Sequence, residues 1–436
     1  MPPIREELED WLRIPSVSTG GGDADALSRA CDWVIARIQA AGGNAERVSV
    51  NGSNPMAVGE LRASGDGAPT VLSYGHYDVQ DPGPLEAWES PPFEPTERDG
   101  RLYARGAADD KGNFLPLLHV ACELASAGEL PVNVRFLVEG EEEVGSDAVL
   151  RYLRDQPPEV ACAIVFDSLM ADERTPAINT GARGMVAGPV EVRTAARDLH
   201  SGIYGGAVPN ATHVLMDVLR AVLPGPDGRV REELRAGVAP PGEVERESSQ
   251  RLPSGAEMLA EAGAVEVTAG AAGEFWERTG GEPSVDVNML MAGEPRTVIP
   301  SVARAQLSMR LAPGQRAPAM AAQLERLLRE AVPEGAELSV DLDLADPALF
   351  DANDSALQLA AGAFERACGT PPAFVRLGGT LPLLAVLAEQ GVPTIVSGFA
   401  LGADAFHAPN ESYRLESLRL GELTARELYR SLAELP

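Results

Sequence analysis

The chain has 436 residues, with 36 basic and 65 acidic side chains, a formal net charge of -29 and 44% hydrophobic content. That length and apolar fraction allow two domains, or one large domain with an insertion, around a sizeable core. The charge excludes a nucleic-acid binder, which needs a basic face, and leaves a solvated acidic surface or carboxylates gathered around cations.

Residues 1–11 are acidic without an apolar core, so no leader is expected, and no run of roughly 18 apolar residues offers a membrane span. From 24 to 41, Leu27, Ala30, Cys31, Val34, Ile35 and Ile38 recur at helical spacing, and Gly42-Gly43 ends that helix. Strands are predicted near 47–50, 55–61 and 70–76, the last running into Gly75-His76-Tyr77-Asp78-Val79. His76 and Asp78 are two apart, so on an extended chain they point the same way. The imidazole can then hold a metal while the carboxylate takes its other ring N–H. A Pro-rich loop over 81–95 leads to Arg105-Gly106-Ala107-Ala108-Asp109-Asp110-Lys111-Gly112, then a helix over 113–125. A strand over 132–139 enters Glu141-Glu142-Glu143-Val144-Gly145-Ser146, a helix covers 147–153, and a strand over 161–166 ends at Asp167. This alternation predicts an α/β sheet flanked by helices. His76 and the acidic residues recur just past strand C-termini, where open α/β sheets build their sites.

Beyond position 180 the pattern changes. A strand over 184–192, a loop at Asp198-Leu199-His200-Ser201-Gly202 and a helix over 209–223 precede a Pro, Gly, Glu and Arg-rich stretch, 224–256, that reads as a long surface connection. A strand over 302–311, an amphipathic helix over 318–332 and a strand over 337–344 complete a small α+β insertion. The α/β pattern returns from 354: a helix to 368, a turn at Gly378-Gly379-Thr380, a helix to 390, a strand over 393–397, a loop holding His407 and a last helix over 418–432. The expected boundaries are 1–182 and 347–436 for the main domain and 183–346 for the insertion. Cys31, Cys122, Cys162 and Cys368 form no Cys-x-x-Cys pair, which fits a reducing cytoplasm. Lys111 is the only lysine. His119 and His213 fall inside predicted helices without an acidic partner pattern and read as structural.

His76, Asp109, Glu142, Glu143, Asp167 and His407 remain at strand ends or in late loops. Imidazoles and carboxylates together suit Zn²⁺, with Mn²⁺ or Co²⁺ as alternatives. The set is too large for one tetrahedral zinc and suits two metals sharing a carboxylate. Gly378-Gly379-Thr380 precedes a helix, so its N–H groups could hold an anion.

Taken together, Gly75-His76-Tyr77-Asp78-Val79, Arg105 to Gly112, Glu142-Glu143-Val144-Gly145-Ser146, Phe166-Asp167-Ser168 and the late His407 resemble metallopeptidase family 20, the family of aminoacylase, carnosine dipeptidases and glutamate carboxypeptidase. Asp198 to Gly206 is most similar to the cytosolic non-specific dipeptidase branch. The resemblance implies a mixed sheet flanked by helices, of zinc-exopeptidase type, with an inserted lid and dimerisation domain. It implies that His76 and Asp167 bind one metal, that Glu143 and His407 bind the other, and that Asp109 bridges them. Asp78 would orient His76 and Glu142 would be the general base. The division between adjacent glutamates is chemically sensible: one carboxylate is neutralised by metal, and its neighbour stays free to take a proton. By the same resemblance His200 stabilises the oxyanion in the partner subunit's site, which implies a homodimer. Arg310, in Ser308-Met309-Arg310-Leu311, would grip the substrate carboxylate. Thr297, Gly379 and Thr380 would contact substrate. The expected activity is hydrolysis of dipeptides or short peptides with a free C-terminal carboxylate. The alternatives are an N-acyl-amino-acid amidohydrolase using the same site and a non-catalytic binding protein on the same fold.

Overall fold

The computed structural model describes residues 3–436; Met1 and Pro2, at the start of the stretch read as lacking a leader, lie outside the described residues. Helices α1 (Ile4–Leu12) and α2 (Ala24–Ala40) open the chain, α2 capped by Asp23, whose carboxylate accepts from the Asp25 and Ala26 N–H groups. Strands β1 (Asn44–Val48), β2 (Met56–Leu61) and β3 (Thr70–His76) follow. In β3 every residue after Thr70 is buried. A strand buried on both faces belongs at the centre of a parallel sheet between helices, and β3 does lie between two parallel neighbours, β6 (Asn133–Glu139) and β7 (Cys162–Phe166). Between them in sequence, β4 (Thr96–Arg98) and β5 (Arg101–Tyr103) precede α3 (Lys111–Ala127), whose run Phe114–Val120 is buried throughout and packs against β3. Helix α4 (Asp147–Asp155) connects β6 to β7.

The main sheet is completed by β8 (Ala177–Ala182) and, from late in the chain, β16 (Ala348–Leu349), β17 (Ala373–Leu377) and β18 (Thr394–Ser397), in the order β1-β2-β6-β3-β7-β18-β8-β16 with β17 beside β8. Helices α10 (Ser355–Cys368), α11 (Pro382–Glu389) and α12 (Leu415–Leu432) close the body, and β19 (Ser412–Arg414) pairs with β5 in a small sheet, β19-β5-β4.

A second core lies between these segments. Strand β9 (Gly184–Arg193) alternates buried and less buried residues, as a one-sided antiparallel strand should. After β10 (Leu199–His200), α5 (Ser201–Tyr204) and α6 (Ala211–Arg220) come α7 (Glu243–Ser248), α8 (Gly255–Glu261), β11 (Ser284–Ala292), β12 (Val298–Ile299), β13 (Val302–Leu311), α9 (Ala317–Glu330), β14 (Glu337–Val340) and β15 (Asp343–Ala345). Val186, Val190, Leu215, Leu307, Met309, Leu324 and Leu328 form a cluster separate from that of the large sheet.

Two expectations are corrected. The strand read over 337–344 is two strands, β14 and β15, both paired with β9. Pro189 of β9 has no N–H to donate, so the ladder breaks opposite it, and the chain crosses Gly188 so closely that a Cβ there would lie 1.9 Å from the Asp341 carbonyl oxygen. The stretch 224–256 is not simply a surface connection. Its α7 packs on β17, and buried Glu245 accepts from Thr180 Oγ1 at 2.6 Å and pairs with Arg376 at 2.7 Å. That ion pair spans 131 positions and leaves no local trace in composition. Strands β8, β11 and β17 also escaped the periodicity. For β11 the reason is visible: most of its residues are exposed, so alternation is lost.

Candidate functional site

The C-terminal ends of β3, β6 and β7 point the same way, and each delivers part of one cluster. His76 is the last residue of β3, Glu142 and Glu143 follow β6 by a few residues, and Asp167 follows β7 directly. Asp109 comes from the loop before α3. His76 Nε2 lies 3.1 Å from Asp109 Oδ1, and His407 Nε2 lies 2.8 Å from Asp109 Oδ2 and 3.3 Å from Glu143 Oε2. A third group of potential ligands, His119, Glu123 and Glu422, lies apart from this cluster, in which two groups can each converge ligand atoms within 4.8 Å of one another: His76, Asp109 and Asp167, and Asp109, Glu143 and His407. They share Asp109. Oxygen and imidazole donors in two such sets fit a pair of divalent cations bridged by one carboxylate.

The electrostatics argue the same way. Burial, reinforced by Asp109 and Glu143 and opposed by His76, pushes the Asp167 carboxyl up to about 7. Burial, reinforced by Asp167, Asp109 and Glu143 and opposed by His76, pushes Glu142 up to about 9. Burial works against a charge on His76, yet hydrogen bonds to Asp109 and Asp78 hold its pKa well above normal. His407 rises to about 10, chiefly through its bonds to Asp109 and Glu143. Four carboxylates crowd two imidazoles, and bound cations would relieve that crowding.

Asp78 faces His76 with its backbone as well as its side chain. His76 Nδ1 meets the Asp78 backbone carbonyl at 3.0 Å, closer than the carboxylate at 3.4 Å. The Nδ1 contact leaves Nε2 as the ring nitrogen turned towards Asp109. The Asp78 carboxylate accepts instead from Ser18 Oγ at 2.7 Å and from the Glu142 and Glu143 N–H groups at 3.3 and 3.2 Å. It therefore orients the glutamate turn as well as the histidine. The three adjacent glutamates then part company. Glu141 turns back to accept from the Asn54 N–H at 2.8 Å, Glu143 faces His407 and accepts from Gln80 Nε2 at 2.7 Å, and Glu142 is left beside the cluster.

Lys111, the lone lysine, is fully buried and donates to the Trp11 and Ile14 carbonyls at 3.2 and 2.9 Å, at the end of α1. Burial holds its pKa down to about 7. It ties the N-terminal helix to the start of α3 rather than joining the cluster. His119 needs a correction: it has acidic partners, Glu7 at 3.0 Å from α1 and Glu123 at 3.8 Å one turn on, contributed mainly by a helix distant in sequence. His213 is exposed on α6.

A second group lies where the two cores meet. Arg310, on β13, donates to Thr380 Oγ1 at 2.8 Å, and Arg183, between β8 and β9, donates to the Gly378 carbonyl at 3.0 Å. Burial and the neighbouring charge of Arg310 lower Arg183 to about 10. Two guanidiniums in mutual repulsion make an attractive seat for an anion. Sequence reasoning found Arg310 and Thr380 but missed Arg183, although Gly181-Ala182-Arg183-Gly184 stands at the junction between strands. Gly379 is exposed beside them. His200 and Thr297 are brought together elsewhere: Ser201 Oγ donates to the Thr297 carbonyl at 2.8 Å, and both residues are exposed on the insertion. The chain does not fold His200 back onto its own histidine–carboxylate cluster; its Nδ1 accepts from the Gly202 N–H at 3.0 Å.

A model of peptidase family M20/M25/M40 matches residues 72–430. A cysteinylglycine-S-conjugate dipeptidase of Corynebacterium striatum is 29% identical over 89% of this chain and 86% of that protein. Human carnosine dipeptidase 1 superposes with a TM-score of 0.81 at 25% identity, covering 99% of this chain and 96% of the other. An M20 metallo-carboxypeptidase of Sulfolobus solfataricus superposes with a TM-score of 0.84 at 23% identity, covering 99% of this chain and all 100% of the other.

Proposed function

Because the chain belongs to peptidase family M20/M25/M40, and so is a hydrolase of peptide bonds, we propose that it is a dipeptidase that requires two divalent cations and acts on short peptides with a free C-terminal carboxylate. The observation that carries this reading is the pair of ligand groups sharing Asp109, with Glu142 beside them and committed to neither. His76 and Asp167 would hold one cation, Glu143 and His407 the other, and Asp109 both; Zn²⁺ suits these donors best, with Mn²⁺ and Co²⁺ as alternatives. Bound cations supply Lewis acidity, lowering the pKa of a water and polarising the scissile carbonyl. Glu142 takes the proton from the attacking water and returns it to the leaving amine nitrogen. Asp78 keeps Glu142 and Glu143 in place through their N–H groups. Arg310, with Arg183 and Thr380, would grip the substrate carboxylate, Gly379 would line that turn, and Thr297 would contact substrate beside His200. The test is a comparison of kcat/KM on a dipeptide panel, including Cys-Gly and β-Ala-His, with that on N-acetyl amino acids. A clear preference for the N-acetyl substrates overturns the dipeptidase reading in favour of an amidohydrolase.

The carboxylate grip gives a specific expectation. Hydrogen bonds to charged groups are worth about 1.5–3 kcal/mol, so Arg310→Ala should raise KM about 10–100-fold, with a smaller effect on kcat. Arg183→Ala should raise KM in the same direction. Steady-state kinetics on one dipeptide check both, and unchanged KM in the two variants removes the anchor.

We also read 183–346 as an inserted domain through which two copies pair. Strand β11 is the edge of its sheet, and Met289, Leu290 and Met291 on it are 42, 50 and 56% exposed. An unpaired apolar edge is a template for another strand, and a second copy would bring its exposed His200 to this chain's cluster as an oxyanion donor. Leu290→Lys should give a monomer by light scattering. His200→Ala should stay dimeric yet lose on the order of 10²–10³ in kcat. A monomeric wild type whose turnover is indifferent to His200→Ala ends this reading. The cysteines are free, with Cys31, Cys122 and Cys162 buried, and among the described residues no helix is long and apolar enough to cross a membrane; a reducing cytoplasm is the compartment we propose.

A further inference from the structure

Glu411 plays no part in the chemistry described so far, yet it is fully buried and unusually well employed. Four donors converge on its one carboxylate. Oε2 accepts from Arg105 Nη1 at 2.7 Å and from the Gly106 N–H at 2.9 Å, while Oε1 accepts from the Ala108 N–H at 2.8 Å and the Asp109 N–H at 3.1 Å. Three of these donors are backbone N–H groups of the loop that presents Asp109. The path of that loop requires a glycine: Gly106 sits at φ +82°, and a Cβ there would lie 2.6 Å from Val79 Cγ1. At its other end Glu411 is anchored by the sheet. The Ala104 N–H donates to the Glu411 carbonyl at 3.1 Å, extending the pairing of β19 with β5 by one step. Next to it, Asn410 receives the Glu89 N–H at 2.9 Å and donates to the Ala87 carbonyl at 2.8 Å.

The consequence lies in where Glu411 stands in the chain. It follows His407 by four positions, and Asp109 is 302 positions away. One carboxylate thus fastens the late loop carrying one candidate ligand to the early loop carrying the candidate bridging ligand. We propose that Glu411 is the positioning residue for the cation pair: it holds the Asp109 carboxylate at the spacing from His407 and His76 that lets it serve two cations at once. The inference rests on the two-cation reading above and adds a residue to it. A bridging carboxylate must present both oxygens in fixed directions, and partners outside the ligand set that fix such directions govern affinity as well as structure.

A plainer role competes with this one, in which Glu411 only balances the buried charge of Arg105. The two roles differ in their rescue. Glu411→Gln loses both acceptor oxygens' charge and turns an NH₂ towards backbone donors, so both roles expect damage. In Arg105→Gln/Glu411→Gln no buried charge is left unpaired, so simple charge balance predicts recovery. Positioning predicts none, because Ala108 and Asp109 still lack their carboxylate. The experiment strips the full-length protein of metal with a chelator and titrates it with Zn²⁺ by calorimetry and with Co²⁺ by visible absorption. Circular dichroism and Tm are followed alongside. Glu245→Gln, which removes a buried carboxylate with similar partners on α7, serves as the control for general destabilisation. We expect about 10–100-fold weaker cation binding and an altered Co²⁺ spectrum in both Glu411→Gln and the double variant, with Glu245→Gln binding as wild type does. Wild-type affinity and spectrum in the folded double variant overturn the positioning role while leaving the two-cation reading standing. A wild type that binds fewer than two cations overturns that reading, and this inference with it.

Discussion

Glu142→Gln is expected to lower kcat by about 10²–10⁴-fold, the range over which a positioned general base contributes, with KM and cation content nearly unchanged. The substitution is nearly isosteric, and Glu142 belongs to neither ligand group, so the loss should fall on the chemical step alone. The pH profile gives the sharper reading. Without cations, burial and the carboxylates around it push Glu142 up to about 9. Cations held by Asp109, Asp167 and Glu143 would favour its charged form and bring that value down. A base must be ionised to act, so wild-type kcat should fall as pH drops through the Glu142 pKa of the loaded enzyme. It should be restored as pH rises above it. In Glu142→Gln that acid limb should vanish while residual activity stays flat. Full activity in Glu142→Gln, measured with metal content verified, defeats the assignment of the base.

Asp109→Ala should have the larger structural consequence, because one side chain is asked to serve both cations. Activity should fall below detection and both cations should be lost, where loss of a ligand held by only one group, as in His407→Ala, should spare the other. Linkage provides a measurement independent of turnover. A ligand present at about 100 times its Kd stabilises the fold by about 2.7 kcal/mol. Wild-type Tm should therefore drop when chelator is added, and the Tm of Asp109→Ala should be insensitive to it. The sign of the apo-state change is also predictable. Asp109 is held well below the usual carboxylate range despite its burial, by hydrogen bonds to His407 and His76. Deleting it strips both imidazoles of a partner, so the chelated variant should melt below the chelated wild type. A variant that retains two cations and a chelator-sensitive Tm excludes Asp109 as the bridge.

Much of this site was legible before folding was considered. The residues that could bind metal stood at the ends of segments whose periodicity marked them as core strands, and β3, β6 and β7 do end together. A parallel arrangement puts all such ends on one edge, so strand recognition alone was enough to gather His76, Glu142, Glu143 and Asp167. Three adjacent glutamates could not be told apart by that logic. Their roles follow from partners at other positions: Asn54 draws Glu141 away, and His407 with Gln80 fixes Glu143. The same limit hid Arg183, whose meaning depends on a second arginine across two cores, and it hid Glu7 as the partner of His119.

By itself, then, the amino-acid sequence determined which side chains were available for chemistry and which strands would carry them. It could do so because ligand type is a property of single residues and strand burial is a property of short windows. Only the tertiary structure decided how those side chains are held. The Asp78 carboxylate braces the glutamate turn while its carbonyl orients His76, and Glu411 fastens the Asp109 loop to the segment of His407. Hydrogen bonds between residues tens to hundreds of positions apart leave no periodic signal. They exist only once the intervening core has brought their donors and acceptors together and excluded the water that would otherwise satisfy them.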